Sequence, residues 1–501
     1  MEEEKVLLEE ILEIKEDLLS EIPTLPITLI FDDKQTEKDL QPLDGIKKYG
    51  PYDHNTSVED LRRDFKEIEI FVFYPKGEKT ICESLSKLME ILSEGYNKKR
   101  EMADVNFEGL REAFKLKNVY IPEPNDFIEY RVGELCNEIK NYINEIDNVF
   151  KRGNKPLVII GGSTHRTLTQ KREQYIEAKK EFTSINVPSQ YVSYYEHGEG
   201  GLGLLYQVLK DSQKHNVALG NAIWNLCLNI YGKVGGIAWI TKQRLSSTTN
   251  KIVDLSIGLR FSRSRQSKGY KVGYATILDR FGRLIGTVTF PPFQVKGMKI
   301  PKEHMRNFML GILEKALNDE RIRKIYESGK KKFLNVAIHR LNFFDLDEIV
   351  GIKEALNKLQ KNKNLGQINY SLVSVIEKPT FVSFDKTTKF GNVIRGTAFM
   401  INEKSAILYT AGSLTPKDEK PLVYPIIISC QNLKDENSIF DTMEEVCNHV
   451  LNLSVLHWQT VIPASVRLPA TLEFAQNIAN LSSYGIQPPI NSWLDRTLWF
   501  I

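Results

Sequence analysis

Strand-like and helix-like segments alternate along residues 56–240. Apolar strand patterns cover Glu67–Pro75 and residues 156–162. A segment with apolar residues at helical spacing follows the first of them at 80–95, and a long polar helix ending near Lys180 follows the second. This order predicts a parallel sheet with crossover helices, closed by a further helix at 221–230.

The pattern changes beyond residue 240 to three strand-like segments separated by turns. They cover residues 252–261, 271–280 and 283–293, and the sequence Asp-Arg-Phe-Gly at 279–282 predicts a hairpin turn. A helix at 303–328, an apolar strand at Phe333–Leu341 and a helix at 347–360 come next, before strands at 371–378, 396–401 and 425–430. Three antiparallel strands, a helix and then a parallel strand predict an RNase H-like fold.

The first residues carry leucine and isoleucine at helical spacing between acids, which predicts an amphipathic helix to about Ile22. This helix must cover the core or a partner. The glycine and proline density at 42–53 predicts an ordered loop. The chain is therefore divided into an N-terminal segment (1–55), an α/β domain (56–240) and the RNase H-like domain (241–501).

Composition is that of an ordinary globular protein with several domains. The chain has 501 residues, of which 42% are hydrophobic. No apolar run approaches the roughly 20 residues that span a bilayer, and the acidic N-terminus argues against a secretory signal, so a cytoplasmic protein is expected. Its 5 cysteines show no CxxC spacing, which predicts neither a disulfide framework nor a zinc site.

Basic residues cluster although the net charge is only +3. One cluster, on a glycine-containing stretch, contains Arg260, Arg263, Arg265, Lys268 and Lys271. Such clusters are more often solvated loops than nucleic-acid sites, so both interpretations stay open.

A candidate phosphate site is centred on Lys233, which directly precedes a valine and two glycines at the end of an apolar helical pattern. Tyr175 and Lys179 lie one helical turn apart on the same face, and Ser189 and Gln190 begin an extended segment. Two lysines could supply charge to a phosphate, Gln190 a neutral donor, and Tyr175 a hydroxyl and a stacking surface.

The set Tyr175, Lys179, Gln190 and Lys233 resembles the Tyr-Lys-Gln-Lys set that anchors the guide 5′ phosphate in Argonaute MID domains. The flanking motifs VPSQYV and NLCLNIYGKVGG are similar to the family pattern. The resemblance implies a Rossmann-like MID domain followed by an RNase H-like PIWI domain. It also implies a possible Mg²⁺ ion at the guide phosphate, held by Asn229 and the carboxylate of Ile501, although the apolar C-terminal residues could equally serve only for packing.

The PIWI acids expected from the resemblance are replaced. Arg260 stands at the first metal-binding Asp in IGLRFSR, Leu341 follows His-Arg where the second Asp is expected, and Gln476 occupies the last position. Two-metal cleavage needs converging carboxylates, and a guanidinium repels Mg²⁺ while attracting phosphate diesters. The resemblance therefore predicts a catalytically inactive protein in which Arg260, Arg263 and Arg265 contact the nucleic-acid backbone.

Taken together, the chain resembles a short prokaryotic Argonaute with MID and PIWI domains alone. The resemblance implies a small guide, usually RNA, recognition of complementary DNA, and activation of an associated effector in antiviral or antiplasmid defence, including abortive infection. The implied partner carries a PAZ-analogous segment with a Sir2, TIR, nuclease or membrane-associated effector. The guide chemistry and the effector type stay open.

Two other functions remain possible from the sequence. The first is an RNase H-like guided nuclease with an unorthodox acid set drawn from Asp254, Asp279, Asp345 and Asp347. The second is a small-molecule binding module in which the sequence GGSTH at 161–165, after a strand, acts as a nucleotide loop.

Overall fold

The structure is a computed structural model of the chain. It describes residues 20–501 apart from 25, 33–34, 38–41, 58, 97–98, 101–102, 105, 165–166, 197–201, 211–216, 243–251, 264–269, 295–298, 328–332, 363–366, 378–387, 389–390, 392, 415–422, 462–466 and 491.

Strands and helices alternate throughout. The strands are β1 (Glu21–Ile22), β2 (Leu29–Phe31), β3 (Gln35–Glu37), β4 (Glu67–Pro75), β5 (Lys99–Arg100), β6 (Ala103–Asp104), β7 (Asn118–Tyr120), β8 (Ile128–Tyr130), β9 (Lys155–Gly161), β10 (Ser189–Val192), β11 (Ile240–Thr241), β12 (Leu255–Arg263), β13 (Tyr270–Asp279), β14 (Leu284–Gln294), β15 (Phe333–Leu341), β16 (Gln367–Ile376), β17 (Ala398–Asn402), β18 (Ser405–Leu408) and β19 (Ile426–Cys430). The α-helices are α1 (Pro42–Tyr49), α2 (Lys79–Glu94), α3 (Leu110–Ala113), α4 (Leu135–Lys151), α5 (Leu168–Ser184), α6 (Leu204–Lys210), α7 (Val217–Lys233), α8 (Lys302–Asn318), α9 (Glu320–Glu327), α10 (Leu346–Asn362), α11 (Met443–Leu453) and α12 (Ala470–Ser482).

The larger sheet has nine strands in the order β1-β17-β18-β19-β16-β15-β12-β13-β14. Its strands β12, β13 and β14 form an antiparallel meander, and β15 then pairs parallel to β12. The turn between β13 and β14 has Gly282 at a φ of 88° and a hydrogen bond of 3.0 Å from Gly282 N to Asp279 O. This is the order that the sequence predicts for an RNase H-like domain.

The smaller major sheet is entirely parallel. Its order is β10-β9-β4-β7, with β8 also beside β4. Strands β4 and β9 are apolar and have buried residues on both faces, as expected for a parallel sheet with helices on its two sides. The predicted α/β domain with crossover helices is confirmed, and the chain is a mixed α/β protein.

Two predictions for the N-terminal region are wrong. Residues 42–53 are not a loop, because Pro42–Tyr49 forms α1; proline is tolerated in the first turn of a helix. Gly45 is needed there, since an added Cβ would lie 2.1 Å from a ring carbon of Phe31. The predicted N-terminal helix does not extend to Ile22, because Glu21–Ile22 pairs with β17 at the edge of the larger sheet; its residues 1–19 lie outside the described part.

One long helix predicted at 303–328 is divided into α8 and α9 at Asp319. The Asp319 backbone is extended, and its Oδ1 accepts a hydrogen bond of 3.0 Å from the Arg321 backbone N–H. An aspartate in this position caps the second helix and ends the first. The prediction missed this because the apolar spacing continues across the break.

Two tryptophans join the two major sheets. Trp239 Nε1 donates to Val455 O at 2.8 Å, and Trp458 Nε1 donates to Trp239 O at 3.1 Å. Both rings are buried in one apolar core that contains residues from both sheets. These bonds fix the segment that follows α7 against residues 455–458, which belong to the domain of the larger sheet.

Helix α12 approaches strand β12 very closely at Gly258. A Cβ added to Gly258 would lie 2.1 Å from Thr471 O, an atom of the helix backbone. A backbone atom cannot move aside as the end of a flexible side chain can, so a side chain at this position would displace α12 from the sheet.

We expect Gly258→Ala to lower the free energy of unfolding by about 1–3 kcal/mol or more, because of this overpacking. Urea denaturation of the purified protein measures the change. Gly311→Ala is the matched control, since an added Cβ at Gly311, inside α8, meets nothing within 4 Å and alanine favours helix by up to about 1 kcal/mol. Equal stabilities of the two variants would contradict the close approach.

Candidate nucleic-acid interface

The four residues predicted to hold a phosphate come from one strand of the smaller major sheet and from two helices of the same α/β domain. Tyr175 and Lys179 lie on α5, Gln190 on β10, and Lys233 is the last residue of α7. Helix α5 begins with a capping box in which Thr167 and Gln170 exchange hydrogen bonds. This cap fixes the start of the helix and therefore the face on which Tyr175 and Lys179 lie.

Lys179 is 2% exposed and its ammonium group bonds to backbone oxygens. Nζ donates to Ser189 O at 3.0 Å, Trp499 O at 2.6 Å and Ile501 O at 3.3 Å. The residues Trp499 and Ile501 belong to the segment 497–501, here called the tail. Lys179 therefore joins α5, the edge strand β10 and the tail at one point.

Lys233 is fully buried beside Lys179 and donates a hydrogen bond to Gln190 Oε1. The Gln190 amide is held in turn, since its Nε2 donates to Tyr191 O at 3.1 Å. The chain turns directly after Lys233, with Gly235 at a φ of 93°, and Leu498 N in the tail donates to Gly232 O at 3.2 Å. Lys179, Gln190, Lys233 and Ile501 are thus brought together.

Burial destabilises the charged form of both lysines. Burial lowers the pKa of Lys179 from 10.5 to about 7. Burial, and then the proximity of Lys179, lower the pKa of Lys233 well below its usual value. In the described part of the chain neither lysine is paired with an Asp or Glu side chain. An anion placed here would therefore restore both charges.

Tyr175 lies on the wall of an adjoining pocket of about 430 Å³ rather than in the lysine cluster. Its ring packs edge-on against Tyr191 at 5.8 Å between centroids, and burial raises its pKa to about 12. The same wall includes Ile501, which accepts from Lys179, and Arg172, whose guanidinium lies 4.6 Å from the centre of the Tyr484 ring. The pocket thus provides aromatic surfaces next to the buried lysines.

Asn229 also lies on this pocket wall. Its Oδ1 is buried and has no hydrogen-bond partner, and Ile501 lies on the same wall. A divalent cation prefers oxygen ligands of this kind. Within the described residues no group of three or more His, Cys, Asp and Glu side chains could hold a metal, so an ion here would depend on Asn229 and Ile501.

The position predicted for the first catalytic acid is occupied by Arg260 on β12. Leu259 lies opposite Arg340 in the parallel pairing of β12 with β15, so Arg260 and Leu341 come one residue further along adjacent strands. Arg260 is half-buried, with an unpartnered Nε. Burial lowers its pKa, against the opposite effect of Glu377.

Two carboxylates that the sequence did not single out lie in this region, Glu377 near Arg260 and Glu473 near Glu377. Glu473 is on α12, one turn before Gln476; burial raises its pKa, and the nearby Glu377 raises it further. Gln476 itself donates to Asn480 Oδ1 at 2.9 Å. Glu473 stands within the sequence PATLEFAQNIA at 469–479, and its position one helical turn from Gln476 is the signal that could have identified it.

A buried histidine pair also lies beside these positions. His339 Nε2 is 3.2 Å from His449 Nε2, with the rings stacked at 5.1 Å, and His339 Nδ1 is 3.2 Å from Thr471 Oγ1. This pair joins β15, α11 and α12. Sequence reasoning missed His449, because nothing in its local pattern distinguishes it from a solvated residue of α11.

The four acids considered for an unorthodox nuclease serve mostly structural roles. Asp254 and Asp279 are buried: Asp254 Oδ2 accepts from Asn335 N at 2.9 Å, and Asp279 Oδ2 pairs with Arg283 Nε at 2.7 Å. Asp345 pairs with Lys299 at 3.0 Å, and Asp347 is exposed.

Basic residues of the predicted cluster lie within strands β12 and β13. Arg263 lies opposite Lys271 across the antiparallel pair. Burial lowers the pKa of Lys271, and Arg340 and Arg263 lower it further. Arg265 and Lys268 lie outside the described residues. The described members of the cluster therefore belong to the sheet rather than to a solvated loop.

The loop after β9 has its donors occupied. Ser163 N donates to Gln174 Oε1 at 3.2 Å, and Thr164 N and Oγ1 donate to Glu78 Oε2 at 2.6 and 3.0 Å. A carboxylate therefore takes the place that a nucleotide phosphate would need. His165 lies outside the described residues.

Comparison with known proteins identifies the fold alone. No protein-family model and no curated protein matches the chain. The structure is similar to that of Clostridium butyricum Argonaute bound to a guide DNA with a 5′ deoxycytidine and a 19-mer target DNA, with a TM-score of 0.63 and 21% sequence identity. The fold is Argonaute-like. The match covers 96% of this chain and 55% of that chain.

The Argonaute-like fold is the one that the resemblance implies, a Rossmann-like domain joined to an RNase H-like domain. None of the helices in the described part of the chain has the length and apolar content needed to cross a membrane.

The lowered pKa of Lys179 has a consequence for stability. Between pH 7 and 10.5 the unfolded chain holds a proton on this lysine that the folded chain releases. The free energy of unfolding of the anion-free protein should therefore fall as the pH falls from 10.5 to 7, by up to about 1.4 kcal/mol per pH unit from this group. Lys179→Met should remove this contribution, as measured by urea denaturation across the range. The exposed neighbour serves as control in Lys180→Met, and identical pH slopes for both variants would contradict the assignment.

Proposed function

We propose that this protein binds a small guide, of RNA, by its 5′ phosphate, uses the guide to recognise complementary DNA without cutting it, and thereby activates an associated effector in prokaryotic defence. The observation that carries the proposal is the pair of buried, adjacent lysine amino groups, Lys179 and Lys233, without an Asp or Glu partner in the described part of the chain. The Argonaute-like fold supports the nucleic-acid part of the proposal.

A terminal phosphate matches this pair in charge. A phosphomonoester carries about −1.5 to −2 charges near pH 7, which offsets two ammonium groups. Lys233 can exchange or share its bond to the Gln190 amide, and Lys179 can keep some of its backbone bonds while facing the anion. The pocket wall at Tyr175 then provides a surface on which the first base can stack.

The first test compares 5′-phosphorylated with 5′-hydroxyl RNA of the same sequence. We expect the phosphorylated RNA to bind about 10–100-fold more tightly, because hydrogen bonds to charged groups contribute about 1.5–3 kcal/mol each. Lys233→Met should remove most of this difference and Lys180→Met should keep it, as measured by fluorescence anisotropy at fixed salt. A wild-type protein that binds both RNAs equally well would refute the anchor.

The same titration tests the Mg²⁺ ion. The unpartnered Asn229 Oδ1 and Ile501 share a pocket wall and would hold the ion, which would reduce the repulsion between neighbouring guide phosphates. We expect EDTA to weaken binding of the phosphorylated RNA to the wild type and to have little effect on Asn229→Ala. Equal sensitivity to EDTA in the two proteins would exclude this role for Asn229.

The proposal that the protein does not cleave its target is based on Arg260 and Leu341 standing on adjacent strands where carboxylates are needed. We expect no product when guide-loaded protein is incubated with complementary DNA or RNA and Mg²⁺ or Mn²⁺. The alternative, a guided nuclease with an unorthodox acid set, would now be drawn from Glu377 and Glu473. That alternative would be established if the protein cleaves its target, if Glu473→Gln abolishes the cleavage, and if Asp347→Asn does not.

The effector is a proposal from the family resemblance. We expect an affinity-tagged chain, isolated from its native host, to bring down a second polypeptide with a PAZ-analogous segment and a Sir2, TIR, nuclease or membrane-associated effector, together with small RNA. Mass spectrometry and sequencing of the bound nucleic acid identify both. Isolation of the chain free of both components, in cells carrying an invading plasmid, would contradict the proposal.

A further inference from the structure

A second concave site adjoins the turn that follows α7. This cleft has a volume of about 290 Å³ and is lined by residues from both domains, including Gly235, Trp458, Trp493, Thr497 and Leu498. The tail connects it with the lysine cluster, since Thr497 and Leu498 line the cleft whereas Trp499 O and Ile501 O bond to Lys179. The cleft shares no lining residue with the pocket beside Tyr175.

The cleft is strongly cationic. Asp64 is the one acid among the described residues of the wall. Six of the lining side chains are basic: Arg62, Arg63, Lys155, Arg283, Arg321 and Arg496. Three further carboxylates lie behind the wall. They are Asp279, paired with Arg283; Asp319, paired with Arg321 and Arg496; and Asp53, near Arg63. Six cations against four carboxylates leave an excess of two positive charges.

Three of these cations, Arg62, Arg63 and Arg496, lack a close carboxylate of their own in the described structure. Asp319 forms a bidentate pair with Arg321 at 2.9 Å and lies 3.8 Å from Arg496 Nε. Arg62 Nε donates to a backbone oxygen, Thr56 O, at 2.8 Å, and Arg63 Nη1 donates to Phe114 O at 2.8 Å. Guanidinium groups bound to neutral carbonyl oxygens keep their charge available for an anion.

We propose that this cleft binds a small phosphate-bearing dianion of the size of a nucleoside monophosphate. The excess of two positive charges matches one phosphomonoester, and planar guanidinium groups suit its oxygens. The volume is at the lower end of the range for ligand pockets, which excludes a folded segment of nucleic acid. Trp493 on the wall supplies a ring with Lys155 Nζ 4.8 Å from its centre, and the buried Trp493 Nε1 is a donor without a partner.

The test is calorimetric titration of the full chain with adenosine 5′-monophosphate at fixed ionic strength, with adenosine as the uncharged comparison. Arg62→Gln combined with Arg496→Gln removes two exposed cations at the rim without emptying the core. Arg111→Gln combined with Arg131→Gln, at two exposed arginines elsewhere, is the matched control for net charge. We expect the rim pair to lose at least tenfold in affinity at one site and the control pair to retain it.

This site is separable from the guide anchor, which would also take a monophosphate. With both sites functional, the wild type binds two molecules, the rim variant one and Lys233→Met one. If the anchor does not bind phosphate, the wild type binds a single molecule, which the rim variant loses. Affinity and stoichiometry that are the same in the rim variant, the control pair and the wild type would overturn the proposal, as would equal binding of adenosine.

Discussion

The arrangement at the domain junction depends on the burial of two lysine amino groups at one point without an Asp or Glu side chain to balance them. Lys179 is tolerated because it donates to three backbone oxygens, from β10 and from the tail. Lys233 is tolerated because the Gln190 amide accepts from it. Neutral dipoles compensate burial of a cation only in part, as the lowered pKa values show. An anion between the two lysines would favour the protonated form of both, and this gain would contribute to its binding.

In the neighbouring nine-stranded sheet, the half-buried cation Arg260 lies near a glutamate instead of beside a second cation. Arg260 stands near an apolar leucine of the adjacent strand, and Glu377 raises the pKa of Arg260 and of Glu473 alike. The Arg260 guanidinium is therefore partly compensated by a neighbouring carboxylate. The histidine pair His339 and His449 connects α11 and α12 to β15.

The sequence was sufficient for the order of the elements but not for most long-range contacts. Spacing identified Tyr175 and Lys179 on one helix, and the hairpin turn at 279–282. It could not show that Lys179 donates to main-chain oxygens of the tail, because every residue type has such an oxygen. The glycine and proline content of residues 42–53 predicted a loop where α1 begins. Gly45 is needed because Phe31 packs against it, and this tertiary contact cannot be predicted from the local sequence. Glu78, which fills the loop after β9, was equally invisible because it comes from a distant segment.

The position of Arg260 and Leu341 on adjacent strands also limits what a single substitution could do here. Replacing Arg260 by aspartate would add one acid beside an apolar side chain and near Glu377, in a half-buried environment. That variant would carry mutually repelling carboxylates and too few ligands for a pair of ions. Metal-dependent chemistry at this position would therefore require at least two changes, and the first of them would be unfavourable.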